Sequence, residues 1–349
     1  EIRQPVFSFM ILAKIPKNDG EYIRKKLFKL GLVRKDYKIF ENEDFIYLPL
    51  RELPDDEVIL QYGFTVENGS AEDRSYRKTP QELIAEDVDI DEKLKAFLPQ
   101  KWEKLGSVAI IKIPEELEDL RFKIAPSYAK ILGAECIVRE RSHISGIQRI
   151  PDVEILYGTN TETVHFENGI YYKLDVSKLM FSSGNIDEKL RMSSLDCTGE
   201  TIVDMFAGIG YFTLPLAVHA NAHKIIACEI NPVSYNYLNE NILLNNVQDI
   251  VYPILGDNNN LEGSRIADRI IMGYVHTTHQ HLRKAFDLIK TGGIIHYHDT
   301  YPLEIFPEAA LENIKKAAGS RKYSISHIRE VKSYSPGVSH MVMDITVEQ

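Results

Sequence analysis

TIVDMFAGIG, residues 201–210, is the stretch that decides the fold. An apolar run ends at Asp204, two glycines follow at Gly208 and Gly210, and a new apolar pattern begins directly afterwards. A strand, a tight turn and a helix in this order bring bare backbone and a helix N-terminus to one point, where a ligand can approach closely. The stretch therefore predicts a ligand site at the end of a buried strand.

The next strand indicates which ligand suits this turn. It ends at Glu229, nineteen residues after Gly210, where a carboxylate can accept hydrogen bonds from both hydroxyls of a ribose. A nicotinamide site would have a third glycine at the position of Thr213. An acidic residue before the glycines suits the ammonium group of an amino acid better than a pyrophosphate. The combination favours S-adenosylmethionine, and a purely structural turn is the alternative.

Apolar strands alternate with amphipathic helices from about residue 186 onward. Continuous apolar strands separated by helices are typical of a parallel, doubly wound α/β sheet. The sequence thus predicts a Rossmann-like domain over residues 186–349. Its predicted strands are Thr201–Phe206, Lys224–Glu229, Val251–Leu255, Ala267–Tyr274 and Gly293–His298, with Tyr323–Val331 and His340–Val347 in the tail.

The chain before this domain divides into three further segments. Residues 1–65 have the pattern of a small α/β domain, and residues 101–185 that of a mixed α/β middle domain. Residues 66–100 are predicted to form a linker and a helix. The polar run Val66–Lys78 is the linker candidate, and Thr79-Pro80-Gln81-Glu82 has the form of a capping box that starts the helix.

Composition limits the classes of protein that remain. The 349 residues are 44% hydrophobic and 26% charged, as in globular chains that bury real cores. No apolar run approaches the roughly 18 residues of a membrane span, and three scattered cysteines suit neither a disulfide framework nor a thiolate metal site. We therefore expect a cytoplasmic monomer with no metal and no membrane association. The net charge of −10 argues against a nonspecific nucleic-acid binder.

One segment departs from this acidic balance, because residues 121–150 carry a net charge of +4. A local basic surface on an acidic chain remains compatible with RNA. Arg139, Arg141 and Arg149 lie in this segment and are candidate contacts to RNA phosphates. A solvated charged face is the alternative interpretation.

Two further strand ends carry polar residues that point to a ligand crevice, because the carboxyl ends of parallel strands line one edge of the sheet. Asp257-Asn258 follows the third strand, where an acid–amide pair can bind an adenine ring, unless it is a surface turn. The fourth strand ends in Met272-Gly-Tyr-Val-His276 and lacks the Asn-Pro-Pro-Tyr typical of methyltransferases that act on base nitrogens. His276 is a candidate proton acceptor or substrate contact, or else a structural histidine at a helix start.

At this point the residues resemble a known family. The stretch from about Ser142 to Pro336 is similar to the archaeal tRNA wybutosine-synthesizing aminocarboxypropyltransferases, which are relatives of the tRNA guanine-37 N1-methyltransferases. The shared elements are Leu174-Asp-Val-Ser-Lys178, Asp204-Met-Phe-Ala-Gly-Ile-Gly210, Asn231-Pro232, Ala267-Asp-Arg269 and Ile295-His-Tyr297.

Four features resemble the aminocarboxypropyl branch of this superfamily rather than the methyltransferases. The methyltransferases carry Asn-Leu-Pro-Lys where this chain has Gly273–His276, and Arg-x-Arg where it has Arg149-Ile-Pro151. Their Phe-Ser-Pro-Arg is Phe181-Ser-Ser-Gly-Asn185 here, and the tail Tyr334-Ser-Pro-Gly-Val338 also resembles the transferases. The first 65 residues or so differ from this pattern, since they resemble the N-terminal tRNA-corner-binding domain of the methyltransferases.

The resemblance implies a reaction and a set of site residues. The reaction would move the 3-amino-3-carboxypropyl group of S-adenosylmethionine to C7 of 4-demethylwyosine at position 37 of tRNA for phenylalanine, with release of 5′-methylthioadenosine. Glu188 aligns with the general base proposed for the methyltransferases, and His276 is the second catalytic candidate. The residues predicted to bind the cofactor are Ser182, Lys189, Asp204, Phe206, Ala207, Gly208, Glu229, Asp257, Asn258 and Gly273. The residues predicted to bind the tRNA are Arg139, Arg141, Arg149, Asn185 and Arg191.

Two other functions remain open on sequence grounds. One is N1 methylation of guanine 37, and the other is a noncatalytic tRNA-binding protein that holds S-adenosylmethionine structurally. A binding module needs no complete cofactor pocket, so Glu229, Asp257-Asn258 and Lys189 together favour an enzyme.

Overall fold

The computed structural model describes residues 7–74, 78–141 and 151–348. The chain divides into two compact units, Glu1–Glu82 and Leu83–Gln349. Within the described ranges, no helix has both the length and the apolar character that a membrane crossing requires.

The first unit is a small antiparallel sheet with helices. Its sheet has the strand order β2-β3-β1-β4, and α1 buries Ile23 and Leu27 in a cluster with Ala13, Ile15 and Leu48. The predicted small α/β domain is therefore present. Its elements are β1 (Phe7–Pro16), α1 (Gly20–Lys29), β2 (Phe40–Glu41), β3 (Phe45–Pro49), α2 (Asp56–Tyr62) and β4 (Thr65–Glu72).

The linker interpretation of Val66–Lys78 is wrong for its first half. Strand β4 pairs antiparallel with β1 over eight residues, from Thr65 to Glu72. Strand pairing needs only backbone hydrogen bonds, so an edge strand can carry polar side chains. Gly69 packs closely on β1, since a Cβ there would lie 2.6 Å from the Leu12 Cδ1 atom and the leucine side chain would have to move.

The second unit begins within a helix that starts as predicted. The Thr79 amide donates to Glu82 Oε2 at 2.7 Å, and the Glu82 amide donates back to Thr79 Oγ1 at 3.3 Å, so the capping box is confirmed. A four-stranded mixed sheet, β5-β6-β7-β8, and a two-stranded hairpin follow. These elements are α3 (Pro80–Asp87), α4 (Glu92–Lys95), β5 (Trp102–Leu105), β6 (Val108–Ile111), α5 (Arg121–Leu132), β7 (Cys136–Glu140), β8 (Val153–Tyr157), β9 (Glu162–Glu167) and β10 (Ile170–Asp175).

The rest of the second unit is a seven-stranded sheet in the order β13-β12-β11-β14-β15-β17-β16. The first five strands are parallel and β17 and β16 are antiparallel, which confirms the predicted Rossmann-like α/β class. Strands β12 and β13 have the predicted bounds. The elements are α6 (Ile186–Ser193), β11 (Thr201–Asp204), α7 (Thr213–His219), β12 (Lys224–Glu229), α8 (Pro232–Leu244), β13 (Val251–Leu255), β14 (Ala267–Met272), α9 (Leu282–Leu288), β15 (Ile289–Pro302), α10 (Glu308–Ala318), β16 (Tyr323–Ser335) and β17 (Val338–Val347).

Side chains of α8 join the hairpin to this sheet. The Asn241 Oδ1 atom accepts from the Lys173 amide at 2.6 Å, and its Nδ2 donates to the carbonyls of Lys173 and Ile209, each at 3.1 Å. Asn245, one helical turn later, pairs in the same way with the backbone of Tyr171. The two side-chain amides therefore bond the β10 backbone as a neighbouring strand would, and Asn241 also bonds Ile209 in the glycine-rich turn after β11.

We predict that Asn241→Ala lowers the free energy of unfolding by about 3 kcal/mol, because the fully buried side chain leaves backbone groups of Lys173 and Ile209 without partners. Asn239→Ala on the same helix is the control, since the Asn239 Nδ2 atom bonds only one carbonyl of its own helix among the described contacts. Urea unfolding checks both variants. Equal losses in the two variants would contradict the special role of Asn241.

Candidate active site

The loop between β11 and α7, residues 205–212, is the centre of the candidate site. Gly208 and Gly210 have φ angles of +57° and +104°, a region that side chains other than glycine rarely adopt. A Cβ on Gly208 would lie 2.9 Å from the Tyr211 ring, and one on Gly210 would lie 2.7 Å from Leu214. Gly208 is partly exposed and Gly210 is buried, so the loop offers its backbone to a ligand at Gly208.

Asp204 hydrogen-bonds both the start of this loop and the start of the helix that follows it. Its side chain is fully buried, Oδ2 accepts from the Thr213 hydroxyl at 2.7 Å, and Oδ1 accepts from the Phe206 amide at 3.2 Å. Burial raises the pKa of Asp204 to about 6, although these two hydrogen bonds act in the opposite direction. The threonine that replaces a third glycine thus orients the carboxylate. Asp204 was predicted to contact the cofactor, and the structure instead places both its oxygens against the protein.

Glu229 closes the loop from the neighbouring strand. Its Oε2 accepts from the Gly208 amide and its Oε1 from the Asn231 amide, both at 2.7 Å. Burial raises the pKa of this carboxyl group. The carboxylate lies at the end of β12, beside the glycine backbone, which is the arrangement predicted for binding a ribose.

The acid–amide pair after β13 serves two different purposes. Asp257 is exposed and caps the short helix Asn258–Asn260 through the Asn259 amide at 2.9 Å. Asn258 is buried, donates from Nδ2 to the Met205 carbonyl at 2.9 Å, and shares a 2.7 Å hydrogen bond with His281 through Oδ1. One end of the Asn258 amide therefore holds the loop and the other holds His281, and Asp257 is the member of the pair that remains open to a ligand.

The end of β14 packs directly on the glycine-rich loop. A Cβ on Gly273 would lie 2.6 Å from the Phe212 ring, and the Tyr274 ring stacks on Phe206 with centroids 5.2 Å apart. Only a glycine allows this approach. Phe206 and Gly273, both predicted to bind the cofactor, thus lie in these two contacts, whereas sequence reasoning missed their partners Tyr274 and Phe212. The aromatic residues just after β11 and just after β14 are the signal that could have revealed them.

His276 follows in the same loop and is exposed. Its Nε2 lies 2.8 Å from the Tyr334 hydroxyl on β16, and its Nδ1 lies 3.2 Å from the Thr300 hydroxyl on β15. Its φ angle is +78°, a left-handed conformation. Tyr334 was singled out only as part of a tail that resembles a family pattern, and not as a site residue.

The segment before α6 contacts the loop through aromatic rings. Phe181 lies edge-on to Tyr211 with centroids 5.6 Å apart, and Ser182 precedes the short helix Ser183–Asn185. Lys189 is 2% exposed, forms an ion pair with Glu167, and places its Nζ 4.5 Å from the Phe181 ring centre. Burial lowers the pKa of Lys189, while Glu167 acts to raise it. Lys189 was predicted to bind the cofactor, and the structure instead turns its amine towards the β9–β10 hairpin.

Glu188 and Arg191 belong to a buried chain of charges. Glu188 is fully buried, and its oxygens accept from Arg191 at 2.6–3.0 Å and from Arg329 at 2.5 Å. Arg191 also donates to Asp344 at 2.7 Å, and Asp344 lies 2.6 Å from His296. The structure thus places Arg191, predicted to bind tRNA, in an internal network, and occupies the carboxylate that was predicted to act as a base.

The basic segment is divided between internal and exposed arginines. Arg139 donates to both Glu118 and Glu154 and is mostly buried, so its guanidinium is not available as the predicted phosphate contact. Arg141 is half exposed, although it lies 3.2 Å from Glu154. Arg149 lies outside the described residues.

The residues present fit S-adenosylmethionine. The partly exposed backbone at Gly208, the Glu229 carboxylate and the exposed Asp257 lie at the ends of adjacent strands, as nucleoside recognition requires. Ala207, which was also predicted to bind the cofactor, is fully buried. In the described chain, the buried Asn185 Oδ1 atom has no hydrogen-bond partner, which leaves an acceptor for a ligand or substrate.

Comparison with known proteins covers most of the chain. The family model of the TRM5/TYW2 methyltransferase domain matches residues 163–326, and that of the TYW2 N-terminal domain matches residues 81–161. The model of the tRNA methyltransferase 5 N-terminal domain matches residues 14–59. The chain therefore has one segment that matches a model named for TYW2 alone and another that matches a model named for tRNA methyltransferase 5 alone.

Individual relatives are similar over long stretches. A tRNA(Phe) (4-demethylwyosine(37)-C(7)) aminocarboxypropyltransferase from Pyrococcus horikoshii is 44% identical, over 74% of this chain and 93% of that protein. The tRNA (guanine(37)-N(1))-methyltransferase Trm5b from Pyrococcus abyssi is 34% identical, over 97% of this chain and 99% of that protein. The crystal structure of P. horikoshii TYW2 in complex with MeSAdo has a TM-score of 0.71 at 40% identity, covering 77% of this chain and 99% of that one.

We predict that Asp204→Asn changes how stability depends on pH. The pKa of Asp204 is about 6 in the folded chain and 3.8 ordinarily, so the folded state binds this proton more tightly and pays for ionisation as the pH rises. The free energy of unfolding of the variant, minus that of the unsubstituted protein, should therefore increase by about 3 kcal/mol between about pH 4 and pH 7. Urea unfolding of both proteins across this pH range measures the difference. A difference that does not change with pH would contradict the raised pKa of Asp204.

Proposed function

Because the chain belongs to the TRM5/TYW2 family, we propose that it transfers the 3-amino-3-carboxypropyl group of S-adenosylmethionine to C7 of 4-demethylwyosine at position 37 of tRNA for phenylalanine. The observation that carries this choice is the loop at the end of β14. It reads Gly273-Tyr-Val-His276, without the Asn-Leu-Pro-Lys of the methyltransferase resemblance, and it packs on the glycine-rich loop through Gly273 and Tyr274. The higher identity to the P. horikoshii transferase supports the same choice.

The chemistry requires positioning more than covalent help. S-adenosylmethionine supplies a sulfonium whose Cγ–S bond breaks as the Cγ–C7 bond forms, so the sulfur keeps the bonding electrons and leaves as the thioether of 5′-methylthioadenosine. The chain holds the nucleoside end with Glu229, Asp257 and the backbone of Gly208. The Gly273–His276 loop then confines the amino-acid arm, and such confinement can supply a large part of a barrier.

C7 must also lose a proton, and the two predicted bases are not equivalent. Glu188 is fully buried and its oxygens are occupied by Arg191 and Arg329. His276 is exposed in the loop that confines the arm, and in the described chain its ring nitrogens are bound only by the neutral hydroxyls of Tyr334 and Thr300. A neutral hydroxyl gives up its partner to a proton more readily than two guanidinium groups give up a carboxylate. We therefore assign proton acceptance to His276 and a structural role to Glu188.

The proposed tRNA substrate gives a role to residues outside the cofactor site. The target base must leave the anticodon-loop stack to reach the crevice, and unstacked loops are what sequence-specific RNA readers favour. Arg141 is the exposed member of the basic segment and is assigned to a phosphate. Residues 14–59 are assigned to the same tRNA on the strength of their family match. We place the enzyme in the cytoplasm and treat it as a monomer.

N1 methylation of guanine 37 is the second candidate. It is favoured by one observation, namely that the P. abyssi methyltransferase matches 97% of this chain, whereas the P. horikoshii transferase matches 74%. The two candidates differ in which carbon leaves the sulfur, so the reaction products separate them.

We predict that the protein, given S-adenosylmethionine labelled separately on its methyl and carboxypropyl carbons, transfers the carboxypropyl label to tRNA that contains 4-demethylwyosine and releases 5′-methylthioadenosine. Glu229→Ala should lower the affinity for S-adenosylmethionine by roughly 100-fold, since two hydrogen bonds to a charged group are lost. Glu240→Ala, an exposed carboxylate on α8, is the matched control and should bind normally. Methyl label in a tRNA with unmodified guanine 37, together with S-adenosylhomocysteine, would overturn the proposal.

The assignment of roles to Glu188 and His276 leads to a separate prediction. Glu188→Gln should lower the free energy of unfolding by about 3 kcal/mol, because Arg191 then keeps only Asp344 as a charged partner and Arg329 loses the carboxylate it pairs with. Transfer by the folded variant at moderate temperature should fall less than about tenfold, which is less than the loss of a general base produces. Asp187→Asn, at the exposed neighbouring position, is the control. A stable variant whose transfer falls by hundreds of times would identify Glu188 as the base.

A further inference from the structure

Residue His276 has an unusual backbone conformation that is held from two sides. It is a residue other than glycine with a φ of +78°, which costs conformational energy unless the surroundings compensate for it. The Tyr334 hydroxyl on β16 and the Thr300 hydroxyl on β15 bind its two ring nitrogens, at 2.8 and 3.2 Å. The His276 and Tyr334 rings also meet edge to face, with centroids 4.8 Å apart. We refer to these three residues as the histidine clamp.

The clamp holds one end of a short loop whose other end is already fixed. Gly273 is pressed against Phe212, and Tyr274 stacks on Phe206, so both contacts join the loop to the glycine-rich backbone. Only Val275 lies between Tyr274 and His276. The loop therefore has little freedom so long as the clamp is closed.

Strand β16, which supplies Tyr334, is the antiparallel edge strand of the sheet and approaches the site at more than one point. Its Arg329 donates to the buried Glu188, and a Cβ on Gly184 would lie 3.1 Å from the Nζ atom of its Lys332. The strand therefore lies along α6, the Ser183–Asn185 helix and the β14 loop. A hydrogen bond from this strand can set the position of the loop relative to the rest of the site.

We propose that Tyr334 is a positioning residue that, through His276, holds the β14 loop where it confines the aminocarboxypropyl arm, and so determines which carbon of the sulfonium faces the substrate base. This inference rests on the proposed function. A sulfonium has three carbons open to attack, and the one that reacts is the one aligned with the nucleophile. A displacement of about 1 Å in a positioning element is enough to change such alignment strongly.

The first test measures binding and does not depend on turnover. Tyr334→Phe removes only the hydroxyl, and Tyr323→Phe on the same strand, whose ring packs near Phe286, is the matched control. Calorimetry measures the affinity for S-adenosylmethionine and for 5′-methylthioadenosine, which lacks the arm. We expect Tyr334→Phe to weaken binding of S-adenosylmethionine roughly fivefold, the effect of one hydrogen bond, and to leave binding of 5′-methylthioadenosine unchanged. The control should change neither affinity.

The second test measures the products formed with labelled S-adenosylmethionine. In the unsubstituted protein the ratio of S-adenosylhomocysteine to 5′-methylthioadenosine gives the baseline, and Tyr334→Phe should raise that ratio about fivefold or more. Thr300→Val, which removes the other hydroxyl of the clamp, should act in the same direction and serves if Tyr334→Phe folds poorly. Hydrogen exchange of residues 273–277 should be faster in both variants.

The outcomes separate the inference from the proposed function. Equal weakening of both ligands, or an unchanged product ratio with a lower melting temperature, would make the clamp merely structural and overturn the inference. If the unsubstituted protein releases only S-adenosylhomocysteine, the proposed function fails instead, and the binding difference between the two ligands still reports whether Tyr334 positions the loop.

Discussion

The buried carboxylate of Asp204 determines the shape of the loop on which the whole site depends. It accepts from Thr213 at the start of α7 and from the Phe206 amide, so it joins the end of a strand to the start of a helix. With the loop held in this way, the Gly208 amide is presented to Glu229. Burying an unpaired charge is expensive, which explains why the pKa of Asp204 is raised and why two donors accompany it.

A second organising feature is the chain of charged groups that crosses the sheet between β14, β15 and β17. Glu200 accepts from Arg269, Arg269 contacts His296, and His296 shares Asp344 with Arg191, which reaches Glu188. Within the described chain, each member has a charged or polar partner on at least one side. Such a network costs desolvation, but it aligns α6 with the sheet, because breaking any one link leaves a buried charge.

The proposed site has two parts, one for each end of the cofactor, and this division indicates how one fold can direct different transfers. In the proposed function, the nucleoside end of S-adenosylmethionine is held by elements whose form follows from the doubly wound sheet, namely the glycine-rich loop and the end of β12. In the same proposal, the amino-acid end meets the β14 loop, which is held by aromatic contacts and by the histidine clamp. The first set is common to many nucleotide-binding sheets, whereas the second can change without altering the sheet.

The sequence by itself determined the local patterns. Alternating apolar strands and helices, the glycines after Asp204 and the acidic end of β12 were readable, because each depends on neighbours in the chain. It misjudged β4, whose pairing depends on a strand some sixty residues away, and it could not foresee that Glu118 and Glu154 occupy Arg139. Only the tertiary structure decided these points.

The same limit applies to the pairs that define the site. Lys189 meets Glu167, and His276 meets Tyr334 58 positions later, across elements whose approach no local pattern encodes. Hydrophobic periodicity indicates which face of an element is buried, and therefore the sheet and its glycine-rich loop can be predicted from the sequence. Which charge or hydroxyl opposes which depends on the packing of distant elements, and therefore only the folded chain reveals the partners.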